Sequence, residues 1–150
     1  MAFRAMSWQY IAGFFDGEGC VDCRITKLPS NRTGRQFRCK IYQNTATVLR
    51  AIQEYLTEYD IPSRLEHSVV KAKFRSEKYN YDYENKDKYA LVIPGAEATY
   101  CFLLEIMPYL IVKLEEAERV IAELEELSDM AQKGLLHPRA ASAYKNLREV

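Results

Sequence analysis

The stretch from Trp8 to Val21, WQYIAGFFDGEGCV, constrains the fold more than any other part of the chain. It is apolar nearly throughout, yet it holds three glycines and ends on two acids, Asp16 and Glu18. Its pattern predicts a helix from about Trp8, with Ser7 as the N-cap. On such a helix Gly13 and Gly17 stack one turn apart on a single face. Each interior glycine costs roughly 1 kcal/mol against alanine. Two of them in so apolar a helix imply that another backbone comes close, because a larger side chain would hold it off. The two carboxylates then stand where the helix ends, beside Gly19, which is expected to take the left-handed turn that stops it.

At 150 residues the chain has the usual size of one domain and can bury most of its apolar surface. The formal net charge is zero, but the charges are segregated. From Arg24 to Arg50 there are seven basic residues (Arg24, Lys27, Arg32, Arg35, Arg38, Lys40, Arg50) and no acid; from Glu115 to Asp129, seven acids stand against one base. The molecule is expected to be bipolar, with one basic face. The four cysteines, the lack of a signal peptide and the lack of a membrane-spanning apolar run point to a reducing, intracellular compartment and no membrane partner. Cys20 and Cys23 have the spacing of a zinc half-site, but Cys39 and Cys101 supply no second half, and on a strand positions three apart face opposite sides. All four are read as small buried hydrophobes.

Along the chain, Cys20 to Leu28 alternates, with Val21, Cys23 and Ile25 on one face and Asp22, Arg24 and Thr26 on the other. Residues 29–34 read as a turn. Arg35 to Gln43 resumes the alternation, with Phe37, Cys39 and Ile41 opposite Gln36, Arg38, Lys40 and Tyr42. The pair is a hairpin with one apolar and one basic face. Thr47 to Tyr59 reads as an amphipathic helix on the stripe Leu49, Ile52, Leu56 and Tyr59, ended by Ile61-Pro62. A third strand is expected from Ser63 to about Phe74, a long polar loop from Arg75 to Lys88, and a fourth strand from Tyr89 to Ile93. Pro94-Gly95 opens a helix to about Met107. Pro108 restarts a longer one to about Leu127, whose stripe of Leu110, Leu114, Ala117, Ile121 and Leu124 is assigned to core packing. A tail with a short helix near Pro138 follows. The expected fold is α+β, ordered αββαββα over residues 1–127, with 128–150 as a C-terminal helical tail of the same domain.

Ile11-Ala12-Gly13-Phe14-Phe15-Asp16-Gly17-Glu18-Gly19 resembles the motif of the LAGLIDADG homing endonucleases, matching its Ala, Gly, Asp, Gly, acid and Gly positions. The predicted element order is similar to the domain of that family, in which two hairpins build one curved antiparallel sheet that rides in the DNA major groove. The likeness covers most of residues 7–127. It implies that two motif helices pack side by side and that the final acid of each, here Glu18 with the backbone of Gly17, binds a divalent metal, Mg²⁺ or Mn²⁺. It further implies that Gln43 positions active-site water and that Lys113 stabilises developing charge. A further basic residue of the family, four positions after the glutamine, is replaced here by Thr47. By the same likeness Asp16 is structural; His67 and His137 have no metal-ligand spacing between them, and neither is read as catalytic.

A chain carrying one Glu18 offers too few ligands to hold metal alone, so a homodimer is expected, joined through Gly13 and Gly17 with Ile11 and Ala12. The partner implied is double-stranded DNA, a long pseudo-palindromic target cut to leave short 3′ overhangs, and the gene is expected to be intron-encoded. The polar strand faces are the expected reading surface, through Asp22, Arg24, Thr26, Arg32, Arg35, Gln36, Arg38, Lys40, Tyr42, Arg64, Lys71 and Lys73. Two alternatives use the same fold: an RNA-binding intron maturase, and a DNA-binding regulator without catalysis.

Overall fold

The computed structural model describes residues 6–27, 33–70 and 86–147. The chain runs α1 (Trp8–Glu18), β1 (Gly19–Lys27), β2 (Thr33–Gln43), α2 (Thr47–Glu58), β3 (Arg64–Val70), β4 (Lys86–Pro94), α3 (Ala96–Ile106), a single 3-10 turn (Met107–Tyr109), α4 (Leu114–Gln132) and α5 (Pro138–Tyr144). The four strands form one sheet in the order β1-β2-β4-β3, antiparallel at every pairing. The α+β class and the αββαββα order hold, with the last helical stretch divided in two.

Helix α1 starts where Ser7 Oγ accepts the amide of Tyr10 at 3.1 Å. Trp8, Ile11, Ala12 and Phe15 recur at helical spacing and turn into the core. The helix ends without the expected left-handed turn: Gly19 is extended, at φ −96° and ψ 165°, and already belongs to β1. Its glycine is required for a different reason. A Cβ at position 19 would stand 2.2 Å from Cδ2 of the Phe15 ring. The left-handed exit is used instead by α2, where Asp60 has φ 58° and Ile61 donates its amide to the Leu56 carbonyl at 3.0 Å.

Strand alternation sorts the two sheet faces. Phe37, Cys39 and Ile41 of β2 and Leu91 and Ile93 of β4 are buried under the helices. On β1 the apolar row runs out from under them: Val21 packs against the core, Cys23 is exposed and Ile25 is 69 % exposed. The expectation of buried cysteines therefore holds for Cys39 and fails for Cys23. On the opposite face Val92 sits in register between Lys40 and Arg64, and Ala90 between Tyr42 and Glu66. Both are buried although they lie on the polar side. Small apolar residues on a central strand are covered by the long side chains that flank them.

Beyond α3, Pro108 does not restart a helix at once. The chain makes one 3-10 turn, Leu110 is extended and residues 111–113 are non-helical, so α4 begins only at Leu114. A proline removes a helical donor and clashes with the turn before it. Helix α4 also runs beyond Leu127 to Gln132, because Ser128 and Ala131 continue its buried stripe. Strand β4 begins at Lys86, three residues ahead of its expected start at Tyr89. The last segment joins the core: Tyr144 and Leu147 are buried, and the Tyr144 hydroxyl donates to the Arg35 carbonyl at 3.3 Å.

Candidate active site and polar sheet face

Two regions carry the sequence-predicted residues: the end of α1 and the polar face of the sheet. At the end of α1 the helix passes directly into β1, so Glu18 is the last helical residue and its side chain is exposed. Gly17 precedes it in the last turn, where an α-helix leaves carbonyl oxygens without intrahelical donors. Gly19 pairs with Ile41, so Gln43, two residues further on, closes β2 at the level where α1 hands over to β1. The Gln43 amide oxygen accepts from the Asn44 backbone at 3.2 Å. Lys113 arrives from the far side of the chain, and its Nζ donates to the Asp16 carbonyl at 2.5 Å, 5.9 Å from the centroid of the Phe15 ring. The topology thus brings Glu18, Gln43 and Lys113 to one end of the helical layer.

Asp16 turns to the segment that carries Lys113. Its carboxylate accepts the Ile111 amide at 2.8 Å and the Lys113 amide at 3.0 Å. Burial pulls its pKa up, but these amides, with that of Val112 and the nearby Lys113 ammonium, outweigh burial and hold it below the usual carboxylate range. Among the described residues no three His, Cys, Asp or Glu side chains converge as a metal site would need. With Asp16 committed to the 111–113 backbone, the motif of one chain offers one carboxylate, Glu18, to a hard cation.

The expected contact face of α1 is open but differs in membership. A Cβ added at Gly13 or Gly17 would meet nothing within 4 Å. Ile11 and Ala12, expected beside them, are instead fully buried in the chain's own core. A helix turns 100° per residue, and their sector faces the core. The residues that flank the glycines outward are Tyr10, 49 % exposed, and the partly buried Phe14, whose rings stack at 6.2 Å.

On the polar sheet face Asp22 and Arg38 pair across β1 and β2, as do Arg24 and Gln36. Asp22 accepts from Arg38 at 2.7 Å and from Arg24 at 3.0 Å. Burial pulls the Asp22 carboxyl up, and the two guanidinium contacts reverse this and hold it down. Arg64 is paired in the same way with Glu66 at 3.0 Å. Arg35 leaves this set: it pairs with Glu123 of α4, on the helical side, in keeping with its odd-numbered neighbours Phe37 and Cys39. Arg32, Lys71, Lys73 and the side chain of Thr26 lie outside the described residues. Sequence reading missed Lys88, whose Nζ lies 4.6 Å from the centroid of the Tyr42 ring, and Ser68, paired with Lys88 in register. Both share parity with Ala90 and Val92, and the clue was lost by placing Lys88 in a loop.

The family model for LAGLIDADG endonucleases matches residues 11–97, more than half of the chain. The chain belongs to the LAGLIDADG endonuclease family. No curated protein sequence matches it. Among solved structures of homing endonucleases, I-CvuI in complex with the I-CreI target is 18 % identical, with a TM-score of 0.58 over 93 % of this chain and 78 % of that one. I-CeuI complexed with DNA is 17 % identical, with a TM-score of 0.60 over 99 % of this chain and 70 % of that one. I-LtrWI bound to target DNA is 16 % identical, with a TM-score of 0.63 over 99 % of this chain but only 45 % of that one. At these identities the likeness is one of fold. The LAGLIDADG motif itself is the α1 segment whose glycines are open and whose final acid is exposed.

Proposed function

We propose that the protein is a site-specific, metal-dependent DNA endonuclease that acts as a homodimer on a long, near-palindromic duplex. One observation carries this reading. Among the described residues nothing fills the glycine face of the LAGLIDADG helix, and the only uncommitted carboxylate of the motif, Glu18, stands at the end of that same helix. Two copies packed through Gly13 and Gly17, with Tyr10 and Phe14 at the flanks, bring two such carboxylates to one twofold axis. Homing endonucleases of the same fold have been crystallised with DNA, one of them in the presence of Mg²⁺.

A divalent ion such as Mg²⁺ or Mn²⁺, when bound, supplies positive charge to the phosphate and acidifies water for attack. In this chain Glu18 and the Gly17 carbonyl are the oxygen donors that would hold it. In this reading Gln43 orients water by hydrogen bonding, and the Lys113 ammonium offsets charge that develops on the cleaved phosphate. Thr47 carries no charge, so the second cation of the family's pattern is absent at that position. On the sheet, Arg24, Gln36, Arg38, Lys40, Tyr42 and Lys88 present donors to phosphates and base edges. Asp22 and Glu66 hold Arg38, Arg24 and Arg64 in fixed directions rather than opposing them.

The test is to incubate the protein with a randomised duplex library in Mg²⁺ and sequence the cut ends. Twofold-related motifs are expected, and uncut DNA at every concentration would overturn the reading. Glu18→Gln should lower cutting by roughly a thousandfold while gel-shift affinity for the selected duplex is retained; cutting at the wild-type rate would remove the metal assignment.

A further inference from the structure

Between Leu110, whose side chain is in the core, and the start of α4, residues 111 and 112 are held little by their own side chains. Ile111 is 85 % exposed and Val112 76 % exposed. The segment is gripped by a carboxylate from α1. The Ile111 amide donates to Asp16 Oδ2 at 2.8 Å and the Lys113 amide to Asp16 Oδ1 at 3.0 Å, so each oxygen takes one of two amides spaced two residues apart. From that fixed backbone the Lys113 side chain returns to α1 and donates its Nζ to the Asp16 carbonyl at 2.5 Å. Its charge stands at the negative end of the helix dipole, where a cation is favoured.

The placement of Asp16 is unfavourable for α1 alone. A carboxylate in the last turn of a helix opposes the macrodipole, and as an acceptor it has no free amide of that turn to serve. The bonds it makes are to a segment 95 and 97 positions away. Aspartate also matches the geometry of two converging N–H groups with its two oxygens, which neither asparagine nor serine does.

We propose that Asp16 is the positioning residue for Lys113: by holding the Ile111 and Lys113 amides it sets the Lys113 ammonium at the end of α1, two residues from Glu18. This inference rests on the reading of Lys113 as a group that acts at the cut phosphate. Asp16 itself touches no reacting atom.

The test uses the full chain and its selected duplex. Asp16→Asn keeps the size and one acceptor oxygen but turns an NH₂ toward one of the two amides. Single-turnover cutting is expected to fall by about a hundredfold, with half-saturating DNA unchanged within about twofold. Lys113→Met should fall to a similar rate, and the double variant should be no slower than either single one, because both remove the same ammonium placement. Amide exchange is measured alongside on wild type and Asp16→Asn. The Ile111 and Lys113 amides should exchange about tenfold faster in the variant, while amides within α4 keep their rates. Multiplying effects in the double variant, unchanged cutting by Asp16→Asn, or a joint fall of DNA affinity and melting temperature would each overturn the proposal. If the wild type cuts no duplex, the function reading fails, and amide exchange still decides the placement: faster exchange in the variant upholds it and equal exchange overturns it.

Discussion

At the scale of single residues, the two glycines nearest the motif acids do different work. Gly17 leaves space open toward solvent, whereas Gly19 leaves space for the chain's own Phe15 ring. Phe15 meets Phe102 edge to face at 5.5 Å and lies under Lys113, so a side chain at position 19 displaces a ring on which the site end is built. Gly19→Ala is expected to lower stability by about 2 kcal/mol, read as a drop in urea midpoint. Asp22 offers a test by pH. Its folded pKa is depressed, so the stability from its arginine contacts is present above the unfolded carboxylate value, near ~3.9, and is lost as pH falls through the folded value. Acid unfolding of Asp22→Asn should therefore be less steep below about pH 4, as followed by circular dichroism. Sequence reading assigned Asp22 to the DNA surface, and the structure adds that it orders the arginines there.

At the scale of elements, strand alternation was legible because each side chain's face is set by its position along the strand. Phe37, Cys39 and Ile41 could be placed inward from the residues alone, and so could Leu49, Ile52 and Leu56 of α2, whereas Tyr59, read onto the same stripe, caps the helix and is 49 % exposed. What alternation does not encode is how far a covering helix reaches, which is why Ile25 continues the apolar row yet is exposed. Nor does it reveal that α5 docks at all. The segment after Gly134 is short and mixed in composition, but its Tyr144 ring meets Phe37 edge to face at 6.2 Å and its hydroxyl reaches the Arg35 backbone. Tyr144→Ala is expected to cost about 3 kcal/mol, measured by chemical denaturation, with a Tyr144→Phe change costing about 1 kcal/mol.

At the scale of the whole molecule, Gly13 and Gly17 on the outer face of α1 meet nothing among the described residues, and Tyr10 beside them is half exposed. Because a Cβ at Gly13 meets nothing within 4 Å, Gly13→Leu should leave the single chain folded and yet halve the mass seen by light scattering. A dimer of wild-type mass in that variant would count against packing through the glycines. The motif, its glycine spacing, the final acid and the basic hairpin face were all readable in the sequence, since each is a pattern within a few turns of helix or residues of strand. Tertiary structure alone decided that Ile11 and Ala12 face inward, that Arg35 joins α4, and that Asp16 binds a segment 95 residues distant. Local periodicity says which face a residue shares with its neighbours in the chain; which other element meets that face depends on packing between distant segments, and no periodicity records it.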